Sequence, residues 1–149
     1  MAAPASAPID LSAALVMAPT PLSDWLVIAP MALMIGLGAV LMMIRHSVRL
    51  HGLIAIPGLA ALVVLDGLLL WRVAVHGPFT MTAGRWLPPF GISFTADLLG
   101  ALMAFASALV ALAAGIYALR DISDTGRRYG FYPFLMLLMA GVTGAFLTG

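Results

Sequence analysis

The side chains able to carry proton or ion chemistry in this sequence are few: six aspartates and three histidines, with no glutamate, lysine or cysteine. All seven basic residues are arginine, which keeps its proton inside proteins, whereas a buried lysine gives it up readily. Any proton movement within a membrane would therefore rest on Asp or His. Most of these sit near the ends of apolar segments, and two aspartates, Asp66 and Asp97, raise a functional question.

Asp66 is the deepest charge. It lies in the apolar run Leu53–Val75, about 3 Å along the helix axis from its midpoint. Aspartate at the centre of a membrane helix costs roughly 2.5–3.5 kcal/mol on insertion scales. Its own helix offers no relief, because the positions three and four away are Leu62, Val63, Leu69 and Leu70. Arg72 lies roughly 240° around the helix from it and is expected to reach the outer interface instead. Asp66 is then either a proton-exchanging or partner-pairing carboxylate, or a neutral, protonated acid hydrogen-bonded to a neighbouring helix. The second reading asks less of the sequence.

Asp97 closes the first part of "GRWLPPFGISFTADLLGALM". It is expected one or two turns into a helix, with Ser93 one turn back on the same face. Exposed N–H groups and the helix dipole favour an acid near a helix N-terminus, a structural role without transport. The alternative is a carboxylate lining an outer water path. His46, His51 and His76 stand at segment ends and are read as interface-facing. They lack metal-ligand spacing, and no Cys or Glu supplements them. "GLG" at Gly36–Gly38 lies inside an apolar run without a dinucleotide context. With no Ser–His–Asp arrangement either, no enzyme activity, metal or cofactor is expected.

The elements that position these residues belong to a membrane protein. The chain is 63% hydrophobic and 9% charged, with mean hydropathy +1.11, where soluble domains carry roughly 25% charged residues. A net charge of +1 gives no electrostatic case for nucleic acid as a partner. Residues 1–24 read as an Ala/Pro-rich tail, with Met17 as an alternative start. Residues 25–149 read as a membrane domain with helices at about 25–44, 53–75, 92–119 and 131–149, each near the length needed for a ~30 Å hydrocarbon core. Pro57, Pro89 and Pro133 are expected near helix starts, and Pro30 in the second turn of the first helix. The expected fold class is all-α polytopic membrane protein with four transmembrane helices. Between helices 2 and 3, the alternation at Phe79–Thr82, a turn at Ala83-Gly84 and Trp86-Leu87 allow a short surface β-hairpin. An aromatic-anchored loop is the alternative.

Arginine sets the orientation. The connections near 45–52 and 120–130 hold Arg45, Arg49, Arg120, Arg127 and Arg128, against Arg72 and Arg85 around the second connection. The first and third connections are expected in the cytoplasm and the N-terminus outside. Small residues spaced by four (Gly100/Ala104, Ala111/Gly115, Ala140/Gly144, Gly141/Ala145, Gly144/Thr148) let helices approach closely in lipid.

Two stretches carry a resemblance. "GRWLPPFGISFTADLLGALM" resembles the segment leading into the third helix of the D-type subunits of Mrp-type multi-subunit cation/proton antiporters. There a Gly-Trp, a proline pair and Phe-Gly-Ile precede an Asp-bearing helix. "FYPFLMLLMAGVTGAFLTG" is similar to the fourth helix of the same subunits, with Thr143 where they usually have Asn. The resemblance runs from Trp25 to Gly149 and extends to the antiporter-like subunits of NADH:quinone oxidoreductase and membrane-bound hydrogenases. It implies the N-terminal portion of a longer subunit whose proton path uses a glutamate and lysines on later helices. It also implies exchange of a monovalent cation, sodium, for protons in the cell's inner (plasma) membrane. The implied partners are other membrane subunits, the lipid bilayer, protons and sodium. Asp97 is the matched position, and Asp66 joins it as a transport candidate on its depth. The alternatives are a redox-driven proton pump subunit and a non-transporting four-helix scaffold.

Overall fold

The computed structural model describes residues 20–83 and 92–148. A 3-10 helix at Leu22–Val27 leads into α1, Ala29–Met43. A short connection then leads to α2, Val48–His76. Strands β1, Phe79–Ala83, and β2, Ile92–Ala96, precede α3, Leu98–Asp121. The short α4, Asp124–Arg128, leads into α5, Phe131–Phe146. Of the expected tail, residues 1–19 lie outside the described residues, as do Arg85, Trp86, Leu87, Pro88 and Pro89.

Among the described residues two helices are long and apolar enough to cross a membrane: Arg49–His76, with mean hydropathy 2.4, and Leu98–Asp121, with 2.2. α1 and α5 are shorter apolar helices. α1 packs against α2 and α5, and α3 packs against the same two, which closes a ring. The interior holds two apolar clusters. One contains Met34, Leu41, Leu59, Leu62, Ala108, Tyr132 and Met136. The other contains Val27, Leu69, Val73, Ala96, Ala101 and Leu147, beside the strands.

α3 shows how the ring closes tightly. Its buried residues are Gly100, Ala101, Ala104, Ala108, Ala111, Gly115 and Ala118, a seam of small side chains that from Ala101 onward alternates steps of three and four. Its large residues Leu98, Leu99, Val110, Ile116 and Tyr117 point outward and are exposed. In lipid, packing of close backbones replaces the hydrophobic drive between helices. Tyr132 is fully buried, and its hydroxyl donates to the carbonyl of Gly115 at 3.3 Å, linking α5 to α3.

Several boundaries differ from the sequence reading. The first helix is divided, because Pro30 sits in the first turn of α1, after the 3-10 segment. A missing N–H costs least there. α2 begins at Val48, so "VRLHG" is helical and Pro57 lies inside the helix. Ile92–Ala96 is a strand, so α3 starts at Leu98 and Ser93 does not share a helix face with Asp97. β1 pairs antiparallel with β2, Phe79 opposite Ala96 and Ala83 opposite Ile92; the expected partner stretch Trp86-Leu87 lies outside the described residues. Ile, Phe and Thr in this stretch suit a pleated surface, and the hydroxyls of Thr80 and Thr95 meet across the pair at 3.1 Å. Finally, α5 ends at Phe146. The N–H of Thr95 then donates to the carbonyl of Leu147 at 2.8 Å, and Thr148 bridges Phe94.

Candidate functional site

The buried face of α2 is a seam of His51, Ala55, Leu59, Leu62, Asp66, Leu69 and Val73, all at most 3% exposed. Steps of three and four keep these residues on one face of a helix. Two of them are ionisable. Asp66 and His51 are both fully buried, as is Thr143 of α5. Among the described residues, neither oxygen of Asp66, neither ring nitrogen of His51, nor Oγ1 of Thr143 has a hydrogen-bond partner. A bare carboxylate in such a place is strongly disfavoured, and buried polar groups are otherwise almost always satisfied.

The position of His51 corrects the reading of all three histidines as interface-facing. His46 and His76 are exposed. The early start of α2 carries His51 into the helix, four residues before Ala55, and so onto the inner seam.

Asp97 occupies the N-cap of α3, with extended backbone angles. Its Oδ1 accepts the N–H of Gly100 at 2.7 Å, which satisfies one of the free donors of the first turn. The residue borders an open cleft of about 460 Å³ with Thr95, Gly100 and Thr148. It does not meet Asp66. The α3 residue between the two apolar clusters is Ala104, seven positions along and so about 10 Å deeper.

Arg72 makes a contact that sequence reasoning missed. Its Nη2 lies 2.6 Å from Oδ1 of Asp24, Nη1 donates to the carbonyl of Ser23, and the guanidinium stacks 3.9 Å over the ring of Phe79. One side chain thus joins the 3-10 helix, α2 and β1. A signal was available: Asp24 directly precedes the first apolar segment and Arg72 lies near the end of the second. Antiparallel neighbours bring those ends together.

At the opposite end, His46, Ser47, Arg49, Leu50, Asp124 and Arg127 line a cleft of about 550 Å³, so the first and third connections meet. Arg127 donates to the carbonyls of Leu119 and Ala118, where a cation complements the C-terminal end of α3. Among the described residues no group of three His, Asp or Glu side chains is placed to hold a metal ion.

No family model matches the chain. Individual proteins do. The D-type subunit of the Na(+)/H(+) antiporter of Bacillus subtilis is 36% identical over 87 residues, 58% of this chain and 18% of that protein. The protein of the same name from Alkalihalophilus pseudofirmus is 40% identical over 74 residues, 50% of this chain and 15% of that one. A Staphylococcus saprophyticus antiporter subunit of the mnhD2 type is 34% identical over 108 residues, 72% of this chain and 22% of that relative. The chain thus spans about a fifth of the length of the curated relatives it matches.

Proposed function

The chain carries a region of the Mrp antiporter D type, and from that premise we propose that it works as part of a membrane antiporter subunit. In this reading the subunit exchanges sodium for protons within a multi-subunit complex of the cell's inner membrane, and carries out no chemical transformation of its own. The similarity to D-type antiporter subunits is the observation that carries the reading.

The fold supports it at three points. α2 and α3 rise about 43 Å and 36 Å, enough for the ~30 Å hydrocarbon core. α1 alone rises about 22 Å, and the preceding 3-10 helix adds about 12 Å, so this pair also reaches across. α5 rises about 24 Å and ends at the strands beside Leu147, and in this reading it serves as the fourth span. Second, Arg49 and Arg127, one from each of the two Arg-rich stretches, line one cleft, the arrangement expected of a cytoplasmic face. The N-terminus, the strand pair and Asp97 are then outside. Third, a carboxyl group sits in the interior of the bundle, where ionisable residues mark ion and proton paths. Asp66 takes that part, and Asp97 holds the start of α3.

The test uses respiring everted membrane vesicles and a pH-sensitive fluorescent dye. Sodium added to vesicles from cells with the complete assembly should discharge the proton gradient, and potassium should do so less. Vesicles from cells lacking this gene should not respond. An equal sodium response after deletion would overturn the reading.

A further inference from the structure

Each of the helices α1, α2, α3 and α5 contributes one buried residue to a level that belongs to neither apolar cluster. These are Pro30 of α1, Asp66 of α2, Ala104 of α3 and Thr143 of α5. On one side their own helices supply Met34, Leu62, Ala108 and Ala140 to the first cluster. On the other side the second cluster takes Leu69 from α2, Ala101 from α3, Val27 from the 3-10 helix before α1 and Leu147 just past α5. In all four helices the residue stands three positions from one flank and four from the other, a rise of about 5–6 Å each way. The four therefore share one depth. Proline and alanine side chains offer no hydrogen bond, so the polar groups of this layer are Asp66 and Thr143, both without a partner among the described residues.

We infer that this layer is a proton-holding site in which Asp66 and Thr143 work as a pair. Asp66 carries the proton and donates it in a hydrogen bond to the Thr143 hydroxyl, directly or across one water. On release, the O–H bond of the acid breaks, the proton passes to water as hydronium, and both bonding electrons stay on the carboxylate. Thr143 then turns to donate its own O–H to that carboxylate. A hydroxyl suits both states because it donates and accepts. Among the described residues no other charge stands at this depth. α1 has no ionisable side chain, α3 has only Tyr117, Arg120 and Asp121 toward its far end, and α5 has only Tyr132. On α2, Arg72 is held by Asp24, and His51 lies about 22 Å away along the axis. Asp124, Arg127 and Arg128 of α4 follow the far end of α3, and the 3-10 helix adds only Asp24.

This site deepens the antiporter reading, resting on its membrane-spanning bundle but not on which cation is exchanged. Infrared spectroscopy of the whole protein in its membrane assembly tests it. A protonated-carboxyl C=O band should be present near neutral pH, disappear in Asp66→Asn, and shift down in heavy water because its proton exchanges. Thr143→Val should move the band to higher frequency, and Thr143→Ser should restore it. If Asp66→Asn does not assemble, the Thr143 pair carries the test alone. A band untouched by Asp66→Asn, unshifted in heavy water, or unmoved by Thr143→Val would overturn the site. None of these readouts needs transport. An inactive protein that shows the band would retire sodium exchange alone, and an active antiporter without it would retire this site alone.

Discussion

Asp97 and Arg72 both work at the end of the bundle that carries the strands, and each is testable by a single substitution. Losing an N-cap costs typically about 1 kcal/mol. Asp97→Ala should therefore lower the thermal stability of the purified assembly, while Asp97→Asn, which still accepts from Gly100, should keep both stability and sodium-driven proton exchange. Loss of exchange in a stable Asp97→Asn protein would return Asp97 to the transport path. Arg72 and Asp24 are only about a fifth exposed, and their bond is charge-assisted. Arg72→Gln and Asp24→Asn should each destabilise by roughly 1–2 kcal/mol. A double-mutant cycle should show that the two losses do not add. These roles differ in how far the sequence reveals them. The Asp97 cap follows from an acid standing before an apolar helix, although that helix starts later than its apolar pattern suggests. The Arg72 pair needs two helix ends to meet, and nothing local encodes that.

Among the elements, α3 sets the spacing of the bundle. A methyl group added at Gly100 would run into the backbone carbonyl of Phe146 and, at 2.7 Å, Oδ1 of Asp97. Backbone does not rotate away, so Gly100→Ala should cost about 2–3 kcal/mol. At Gly115 the clash is with the end of Leu59, 2.6 Å away, a flexible side chain, and the cost should be smaller. Gly141 has nothing within 4 Å, so Gly141→Ala should be neutral or gain up to about 1 kcal/mol of helix propensity. Thermal unfolding of the three variants checks the order. The spacing of four that marks Gly100/Ala104 and Ala111/Gly115 also marks Gly141/Ala145, yet only the α3 pairs are enclosed. Small-residue spacing locates a face that permits close packing and leaves open whether a helix occupies it.

For the whole molecule, the orientation gives a direct prediction, helped by the absence of native cysteine. Single cysteines at Ser47, Thr82 and Ser123 should divide, with only Thr82 reacting with a membrane-impermeant maleimide on intact cells. Labelling of Ser47 and Thr82 from the same side would exclude an odd number of crossings between them and, with it, the four-span topology. The Arg distribution is enough for this expectation. The meeting of the first and third connections at one cleft gives it a structural counterpart.

Sequence by itself determined the membrane character, the apolar segments that become the long helices, and the side of the bundle on which the arginines gather. Length, hydropathy and charge act along the chain, one segment at a time, and are read without knowing any neighbour. Only the tertiary structure decided that Ile92–Ala96 is a strand paired with Phe79–Ala83, that His51 faces inward, and that Asp66 and Thr143 are buried without partners among the described residues. The reason is physical. A helix apolar on every side presents nearly the same chemistry to lipid as to a neighbouring helix, so its rotation and its partners are fixed by packing among all four helices together.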